Sequence, residues 1–484
     1  MPWTLSKSLL ISLAALMFGS ARALPAQVED PLQSGAPVPA GAVAIVDDLV
    51  VTAGELVEAL YARYGMGEVG LNTANFLLQQ RVIEHNMLKR GLVVTDEEIA
   101  VEYKKLADQL KSSKEAKRDI QGYLAELGVT EAEFMRQLKL VVALGKMARE
   151  DMKEATADGA VLQTQWLRAK TMEGEIEQLP SKLPTTAAAR IYGEYITHED
   201  VVKAMIQKLD DKAIGVHVQN LMQAALARRL AKEMGLTITN EDLDRELEAS
   251  KRVFASKPKF QGLSFEDMLK QETGMSPDAY KTCAQFFTVV AVYKVGMKLV
   301  PDEKASEFYE ADKAWYGPIA EVRHIFLRGT DDPAYAGKSR TLKEAEAEAR
   351  KVKERIDQGE NFDDLVKLMS DDVRTKFKDG LLDKWTPKQW ESKEGIAEAM
   401  KTMKVGDVRG PVKSPAGWHV IKLAALEPPP AINEDIVRDI RKRRALEVFQ
   451  KRWAETKRGV AVRDLWPRLQ IRKAAAAESK PAPK

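Results

Sequence analysis

The chain has 484 residues, of which 74 are Lys or Arg and 72 are Asp or Glu, so its formal net charge is +2. This near balance excludes the overall basic field that draws many proteins to nucleic acid, and we expect no nucleic-acid partner. The length suggests about three domains. A single cysteine, Cys283, excludes an internal disulfide, so packing must stabilise the fold.

The first residues have the pattern of a secretion signal. Lys7 supplies a positive charge, Leu9 to Phe18 form an apolar run too short to span a bilayer, and Ala21-Arg22-Ala23 is a small-x-small cleavage site. We expect cleavage of residues 1–23 and a periplasmic or other extracytoplasmic location, without stable membrane insertion afterwards. An uncleaved anchor is the alternative. Residues 24–40 are rich in Pro, Gly, Ala and Gln and are predicted to form a flexible leader.

Three sequence blocks then recur at an offset of about 145 residues. The paired blocks begin at Val51 and Ile196, at Arg90 and Met234, and at Gly128 and Gly274. A repeat of this length indicates a duplicated module. We place the two copies at residues 41–150 and 187–300, with a linker at 151–186.

The modules are predicted to be helical because helix-capping pairs recur in both copies. In each pair, a hydroxyl residue precedes an acid by three positions and can accept a bond from the backbone N–H of that acid. The pairs are Thr52 with Glu55, Thr95 with Glu98, Thr130 with Glu133, Thr197 with Asp200, and Thr239 with Asp242. Ser276 is a further cap, recognised by Pro277 at the first helical position rather than by an acid. Gly91 and Gly235 are expected to end the preceding helices in the left-handed conformation. Short β-prone pieces at 44–46 and 190–192 precede the helices and are candidates for strand pairing.

A second kind of pattern begins near residue 316. Its parts, in chain order, are His324 in an apolar run, the triplet Ser370-Asp371-Asp372, the turn Gly410-Pro411, and His419 in another apolar run. This order resembles a parvulin-type peptidyl-prolyl cis-trans isomerase, or rotamase, and the resemblance covers residues 316–426. It implies a small α+β domain with an antiparallel sheet, of the FKBP-like kind.

The resemblance also implies roles for individual residues. His324 and His419 would form a hydrogen-bonded pair beneath the imide, Ser414 would buttress this pair, and Asp372 would lie beside the substrate carbonyl. The apolar slot for the proline ring would be formed by Leu382, Trp390 and Ile396. Taken alone, each histidine is more often a core residue, Asp372 is equally well a turn or cap residue, and Leu382 and Ile396 fit a core under either interpretation.

The sequence departs from the parvulin pattern after the acid. Parvulins usually carry Gly-Gly-x-Leu-Gly-aromatic, whereas this chain has Asp379-Gly380-Leu381-Leu382-Asp383. If these glycines serve left-handed backbone, activity is expected to be reduced. The loop at 329–340 lacks a clean basic cluster, so a preference for phosphorylated substrates is not expected. We find no metal-ligand spacing among the remaining histidines and expect no metal or cofactor.

The order of parts, with helical modules before a parvulin block, is similar to SurA-like periplasmic chaperones. That family usually has one such module. The similarity implies unfolded or partly folded exported polypeptides containing proline as partners. We expect an α+β protein, mostly helical in its tandem chaperone-like modules, with one parvulin domain.

The rest of the chain completes the expected layout. It has a connecting helix at 301–315, a C-terminal helix at 427–470 that packs back on the chaperone region, and a disordered tail at 471–484. The basic run Arg441-Lys442-Arg443-Arg444 is expected to be a solvated helix face.

Three functions are consistent with these sequence patterns. The first is an exported foldase that isomerises prolyl bonds. The second is a holdase chaperone whose parvulin domain is catalytically degenerate, and the third is an envelope scaffold.

Overall fold

A computed structural model describes residues 32–112, 119–127, 130–152, 159–178, 183–255, 262–332, 339–390, 394–466 and 469. The expected signal segment and C-terminal tail lie outside these residues. The described residues divide into two compact units, one within Met1–Val295 and Ala445–Lys484 and the other within Gly296–Arg444. Among the described helices, none combines the length and apolar character that a membrane crossing requires.

The secondary structure of both units is as follows. The strands are β1 Gln33–Gly35, β2 Ala42–Val46, β3 Leu49–Thr52, β4 Ala187–Ile191, β5 Glu194–Thr197, β6 Ile319–Arg328, β7 Leu381–Trp385, β8 Val408–Ser414, β9 Gly417–Glu427 and β10 Arg458–Ala461. The helices are α1 Ala53–Tyr64, α2 Glu68–Arg90, α3 Asp96–Ser112, α4 Ile120–Leu127, α5 Glu131–Met152, α6 Gly159–Glu173, α7 His198–Met205, α8 Asp211–Glu233, α9 Asn240–Ala255, α10 Phe265–Thr273, α11 Pro277–Thr282, α12 Ala284–Leu299, α13 Ala305–Ala311, α14 Leu342–Asp357, α15 Phe362–Met369, α16 Val373–Lys376, α17 Pro387–Trp390, α18 Glu394–Met400, α19 Glu434–Glu455 and α20 Val462–Leu465. Short 3₁₀ turns lie at Ile206–Lys208, Asp302–Lys304 and Lys313–Trp315.

The helix boundaries of the larger unit follow the capping residues. The backbone N–H of Glu55 donates to the Thr52 hydroxyl, and the Glu55 carboxylate accepts from the Thr52 N–H at 2.9 Å, which starts α1. Gly91 ends α2 with φ of 61° and Gly235 follows α8 with φ of 68°. Both glycines therefore adopt the left-handed conformation that the sequence predicted.

The C-terminal segment returns to the larger unit as a strand as well as a helix. β10 lies between β1 and β2, so the sheet order is β1-β10-β2-β3 and every pairing is antiparallel. The sequence pattern predicted a helix over residues 427–470 and a flexible leader over residues 24–40. Instead, the helix ends at Glu455, and Gln33–Gly35 within the leader is a strand. The composition signalled neither strand, because each is only three or four residues long and obtains its backbone partners from a distant part of the chain.

Residues 151–186 contain more structure than a linker requires. Helix α6 lies within this range, and its Trp166 is 1% exposed. The Trp166 indole N–H donates to a carboxylate oxygen of Asp151 at 2.7 Å. This helix therefore packs on α5, which contains Asp151. The connection between the two modules is the stretch between Glu173 and Ala187.

The smaller unit is a four-stranded antiparallel sheet with the order β7-β6-β9-β8. Helices α14 and α15 cover one face, where Ala345, Ala349 and Phe362 join a core cluster with the strand residues Ile325 and Val420. The opposite face carries a second cluster, which includes the α18 residue Ile396. The expected α+β class, with a small antiparallel sheet, is confirmed.

The basic run at 441–444 is not a solvated face. Arg441 is 8% exposed, and its Nε donates to the Val300 carbonyl at 2.9 Å. Arg443 and Arg444 both pair with the buried Asp312, at 3.0 Å and 2.6 Å. The prediction was wrong because a charge run on a helix shows nothing about carboxylates that lie more than 100 residues away in sequence.

Candidate active site

The sheet of the smaller unit brings the two histidines of the motif together. His324 lies on β6 and His419 on the neighbouring antiparallel strand β9. His419 is directly opposite Phe326, and His324 is directly opposite Ile421. Opposed residues share a face, and alternate residues of one strand point the same way. Both imidazoles therefore project from the same face, on the diagonal between adjacent strands.

The two imidazoles form a buried hydrogen-bonded chain with their neighbours. The Nδ1 atoms of His324 and His419 are 2.9 Å apart, and the residues are 2% and 7% exposed. The outer nitrogens are also engaged. His419 Nε2 lies 2.9 Å from the Ser414 hydroxyl, and His324 Nε2 lies 2.8 Å from the Thr375 hydroxyl. All four ring nitrogens thus have partners, as burial of polar groups requires.

A carboxylate at one end decides how protons are arranged along this chain. Asp372 Oδ2 is 3.2 Å from His324 Nε2, and an ionised carboxylate can only accept. Nε2 of His324 must then carry the proton, so its Nδ1 accepts from the Nδ1–H of His419. The Nε2 of His419 is left as an acceptor for the Ser414 hydroxyl. With both rings neutral, the bonds that join Asp372, His324 and His419 each have one donor and one acceptor, and the Ser414 hydroxyl shares its proton between His419 Nε2 and the Gly417 carbonyl at 3.2 Å.

Burial keeps the imidazoles neutral. It lowers the pKa of His324 to about 4, although the Asp372 charge acts in the opposite direction. Burial, together with proximity to His324, lowers the pKa of His419 to about 3. Burial acts to raise the pKa of Asp372, but hydrogen bonds from Thr375 and the Arg374 N–H, with nearby charges, outweigh it and hold that pKa below its ordinary value. Near neutral pH the site is therefore two neutral rings beside a carboxylate.

The triplet Ser370-Asp371-Asp372 is bound to β6, which fixes the position of Asp372. The buried Ser370 hydroxyl accepts from the backbone N–H of Phe326 at 3.2 Å, and the Asp371 N–H donates to the Phe326 carbonyl at 2.7 Å. Asp372 also caps α16 by accepting from the Arg374 N–H at 3.0 Å. The two interpretations of Asp372, a cap and a neighbour of the histidine pair, therefore hold together.

An apolar cluster lies on the same face of the sheet as the histidines. Ile396 is 6% exposed and belongs to this cluster, and the partly buried Leu382 packs against it. The strand residues of the cluster are Ala320, Val322, Val412, Ile421 and Leu423. The side chain of Trp390 lies outside the part of the chain that the structure describes. Of the three residues expected to form the proline slot, the structure thus brings Leu382 and Ile396 together.

Two residues of the site were not anticipated from the sequence. Thr375 hydrogen-bonds His324, and the Phe326 ring centroid lies 4.8 Å from that of His419. Phe326 could have been found, because it follows His324 by two positions on a strand and must share its face. Thr375 gave no signal, since its contact depends on how α16 turns back toward β6.

The departures from the parvulin glycine pattern have a structural counterpart. Asp379, at the position of the missing glycine, adopts a left-handed φ of 50°. Gly380 has φ of 75°, and a Cβ there would lie 2.5 Å from the His324 carbonyl oxygen. The Gly380 carbonyl accepts from the His324 N–H at 2.8 Å. The chain thus keeps the glycine that touches His324 and accepts strain at the exposed position before it.

Comparison with known proteins identifies the domain around this site. Residues 324–425 match the family model for the PPIC-type PPIase domain, also described as Rotamase. A foldase protein PrsA from Clostridium botulinum strain Langeland is 24% identical over 282 residues, covering 56% of this chain and 78% of that protein. The chaperone SurA from Thiobacillus denitrificans is 35% identical over 162 residues, covering 33% of this chain and 32% of that protein.

A comparison with solved structures was also made. PrsA from Bacillus anthracis, a peptidylprolyl isomerase, aligns with 55% of this chain and 99% of its own, at 18% identity and a TM-score of 0.27. The site geometry, the family match and the sequence relatives agree with one another. Residues 324–425 thus form a parvulin-type PPIase domain, and the chain is similar in sequence to PrsA foldases and to the chaperone SurA.

Proposed function

We propose that this protein is an exported foldase that isomerises X–Pro bonds in unfolded or partly folded proteins outside the cytoplasm, such as secreted or envelope proteins. The observation that carries the proposal is the buried pair His324–His419, with Asp372 at one end, on the sheet face that also carries an apolar cluster. The secretion pattern in residues 1–23 and the exported PrsA and SurA relatives support the location.

The reaction needs a surface that prefers the twisted imide. Rotation about a peptide bond crosses a barrier of about 18–20 kcal/mol, because twisting removes amide resonance. No covalent bond breaks, so catalysis consists of binding the twisted form more tightly than either planar form. Fixed hydrogen-bonding groups and a dry environment supply such differential binding.

We assign the roles in the site as follows. Leu382 and Ile396 receive the proline ring, with Trp390 as a further wall. Asp372, ionised and held against β6, lies beside the X–Pro carbonyl, and its charge favours the redistributed electrons of the twisted amide. His324 and His419, backed by Ser414, hold Asp372 and the base of the slot in a fixed arrangement.

We propose that the larger unit, which we call the helical unit, holds the client. Several large apolar side chains in the described part of its first helical segment are exposed, and they offer contact area to unfolded chains. They are Met66, Leu71, Phe76, Val93 and Val101, with exposed fractions between 46% and 71%. Because both units belong to one chain, a foldase of this kind would keep a client tethered to the molecule that carries the isomerase site while successive prolines are processed.

We further propose that residues 41–150 and 187–300 descend from one duplicated module. A β-hairpin followed by a capped helix opens each segment, as β2-β3-α1 and as β4-β5-α7. The capping pairs Thr52 with Glu55 and Thr197 with Asp200 start the two first helices in the same way. These equivalent features support the repeat that the sequence blocks indicated.

One observation favours the second candidate, a holdase with a weakened isomerase domain. The left-handed Asp379 lies in the turn into β7, and Asp383 replaces a glycine within that strand, next to Leu382. A change there could loosen the proline slot without affecting the helical unit. An envelope scaffold, the third candidate, has no specific observation in its favour.

Prolyl isomerisation of a short peptide by the full-length chain separates these functions. We expect turnover by the wild type and its loss in Asp372→Ala, with the far-ultraviolet circular dichroism unchanged. Suppressed aggregation of an unfolded client without any isomerisation would instead establish the holdase. Full activity in both His324→Ala and Asp372→Ala would reject the site assignment.

A further inference from the structure

The chain has five histidines, and two of them form the isomerase pair. Two helical segments, residues 41–150 and 187–300, carry the other three histidines. Each of these three contacts a tyrosine of the opposite segment. His198 stacks on Tyr61 with ring centroids 3.6 Å apart, and His85 stacks on Tyr192 at 3.9 Å. His217 meets Tyr64 edge to face at 5.8 Å. Every histidine outside the isomerase domain therefore lies where the first segment contacts the second, which we call the segment junction.

His217 is the histidine of this junction that lies near an arginine of the other segment. It lies on α8 and faces α1, which presents Tyr64 and the Arg63 guanidinium. Burial, and secondarily the charge of Arg63, lower the pKa of His217 to about 4. A proton on this ring would place two cations together inside the junction.

The other ionic contacts of α8 do not offset that charge. Asp48, on the β2–β3 hairpin, pairs with Arg229 at 2.6 Å, about 18 Å further along the helix from His217. Asp211, at the start of α8, pairs with Arg463. Both carboxylates are thus engaged with arginines away from His217.

A second histidine of the junction faces an acid. Glu58, also on α1, lies 2.8 Å from Nδ1 of His198, whose side chain is 12% exposed. His198 and His217 therefore have neighbours of opposite charge, and each can be tested separately.

We propose that the segment junction is a pH-sensitive joint, closed when the neutral, half-buried His217 packs edge to face on Tyr64 near the Arg63 guanidinium, and opened when acid protonates that ring. Opening would separate α1 from α8 and expose apolar surface of the helical unit, so acid would increase the surface available to clients. This consequence for clients depends on the proposed foldase function, but the opening itself does not.

The expected size of the effect follows from proton linkage. If the ring has its ordinary pKa of 6.5 in the open form and about 4 in the closed form, acidification from neutral pH to about pH 5 should raise the open population about 30-fold. The closed form is fully favoured above pH 6.5 and loses this advantage as the pH falls toward 4. Below that value both forms carry the proton, and the ratio stops changing.

Hydrogen exchange of the full-length protein, measured by mass spectrometry and corrected for the intrinsic pH dependence, tests the joint. We expect about 30-fold faster exchange of α1 and α8 amides near pH 5 than near pH 7.5, and no such rise in His217→Gln, which stays neutral. His198→Gln is the matched control at the same junction and should keep the rise or enlarge it. Equal acid responses in the wild type and His217→Gln, or no response in the wild type, would overturn the proposal.

A second measurement covers the case in which His217→Gln folds poorly. Titration of ¹³C-labelled histidines by NMR should give His217 a pKa well below 6.5 in the wild type. In Arg63→Gln that pKa should rise and the acid-induced exchange should shrink, because one of its two causes is removed. An ordinary pKa for His217 in the wild type would overturn the proposal. Isomerisation of a short peptide should be the same in all three variants, so failure of the joint is distinguishable from failure of the proposed foldase function.

Discussion

The Nδ1 atoms of His324 and His419 lie 2.9 Å apart although the residues are 95 positions apart in sequence. Adjacent antiparallel strands place them on one face, and the remaining ring nitrogens are bound by Thr375 and Ser414. The pair is thus a fixed element of the domain with a defined order of donors and acceptors. Four predictions follow from this pair and from other contacts of the two units.

Removing one member of the pair should impair both stability and catalysis. In His419→Ala, the Nδ1 of His324 loses its buried donor, which costs about 1–3 kcal/mol of unfolding free energy. If loss of the hydrogen bond between the two imidazoles also weakens binding of the twisted imide by about 1.4 kcal/mol, kcat/KM falls about tenfold. Urea unfolding and peptide isomerisation measure the two effects. Ser414→Ala should show a smaller loss in both, because Ser414 contacts the pair from the outside. Wild-type values in His419→Ala would contradict the structural role of the pair.

Stability of the smaller unit should fall in acid before Asp372 is protonated. His324 has a folded-state pKa of about 4 against 6.5 when exposed, so the unfolded chain binds its proton first as the pH falls. The contribution of His324 is complete above pH 6.5 and is lost between pH 6.5 and 4, and it amounts to roughly 3 kcal/mol. Asp372, with a lowered pKa, contributes above its ordinary value of 3.8 and loses that contribution below it. Urea midpoints between pH 4 and 8 measure the loss, and His324→Gln should make it smaller, with the remainder coming from His419, whose pKa is lowered to about 3.

Isomerase activity should be nearly independent of pH between about 6 and 8. The pKa values of both histidines, about 4 and about 3, lie well below this range, and that of Asp372 lies below its ordinary value. None of the three groups then changes its charge in the range, so kcat/KM has no reason to vary. A peptide assay without a coupled protease, run in a series of buffers of constant ionic strength, measures the profile. A step near pH 6.5 would show that an imidazole of the pair titrates with an ordinary pKa.

Replacing Asp379 by glycine should stabilise the smaller unit. A left-handed conformation costs an ordinary L-residue about 1–2 kcal/mol, and less for Asp, whereas glycine adopts it freely. After the entropy that glycine gains in the unfolded chain, we expect a net gain of about 0.5 kcal/mol in unfolding free energy. Asp379→Asn is the matched control and should be nearly neutral, because asparagine tolerates the same φ. A loss of stability in Asp379→Gly would show that the carboxylate itself contributes.

Sequence patterns predicted best where local chemistry decides the structure. Thr52 with Glu55 and Gly91 set helix ends through contacts within a few residues, and both appear as predicted. His324 and His419 could be paired only through the resemblance to a family, since nothing local relates them. Strand β10 and the burial of Arg441 were missed for the same physical reason. Each depends on a partner distant in sequence, Ile45 for Gly459 and the Val300 carbonyl for the guanidinium.

The placement of β10 in the N-terminal sheet has a consequence for how the protein is made. Residues 458–461 are synthesised after the entire isomerase domain, yet they form the strand that joins β1 to β2. The ribosome therefore delivers the isomerase domain, whose strands and helices all lie within Gly296–Arg444, before the helical unit can complete its sheet. During synthesis the isomerase domain is therefore complete, and free to fold, before the larger unit, which is proposed to hold clients, receives its last strand.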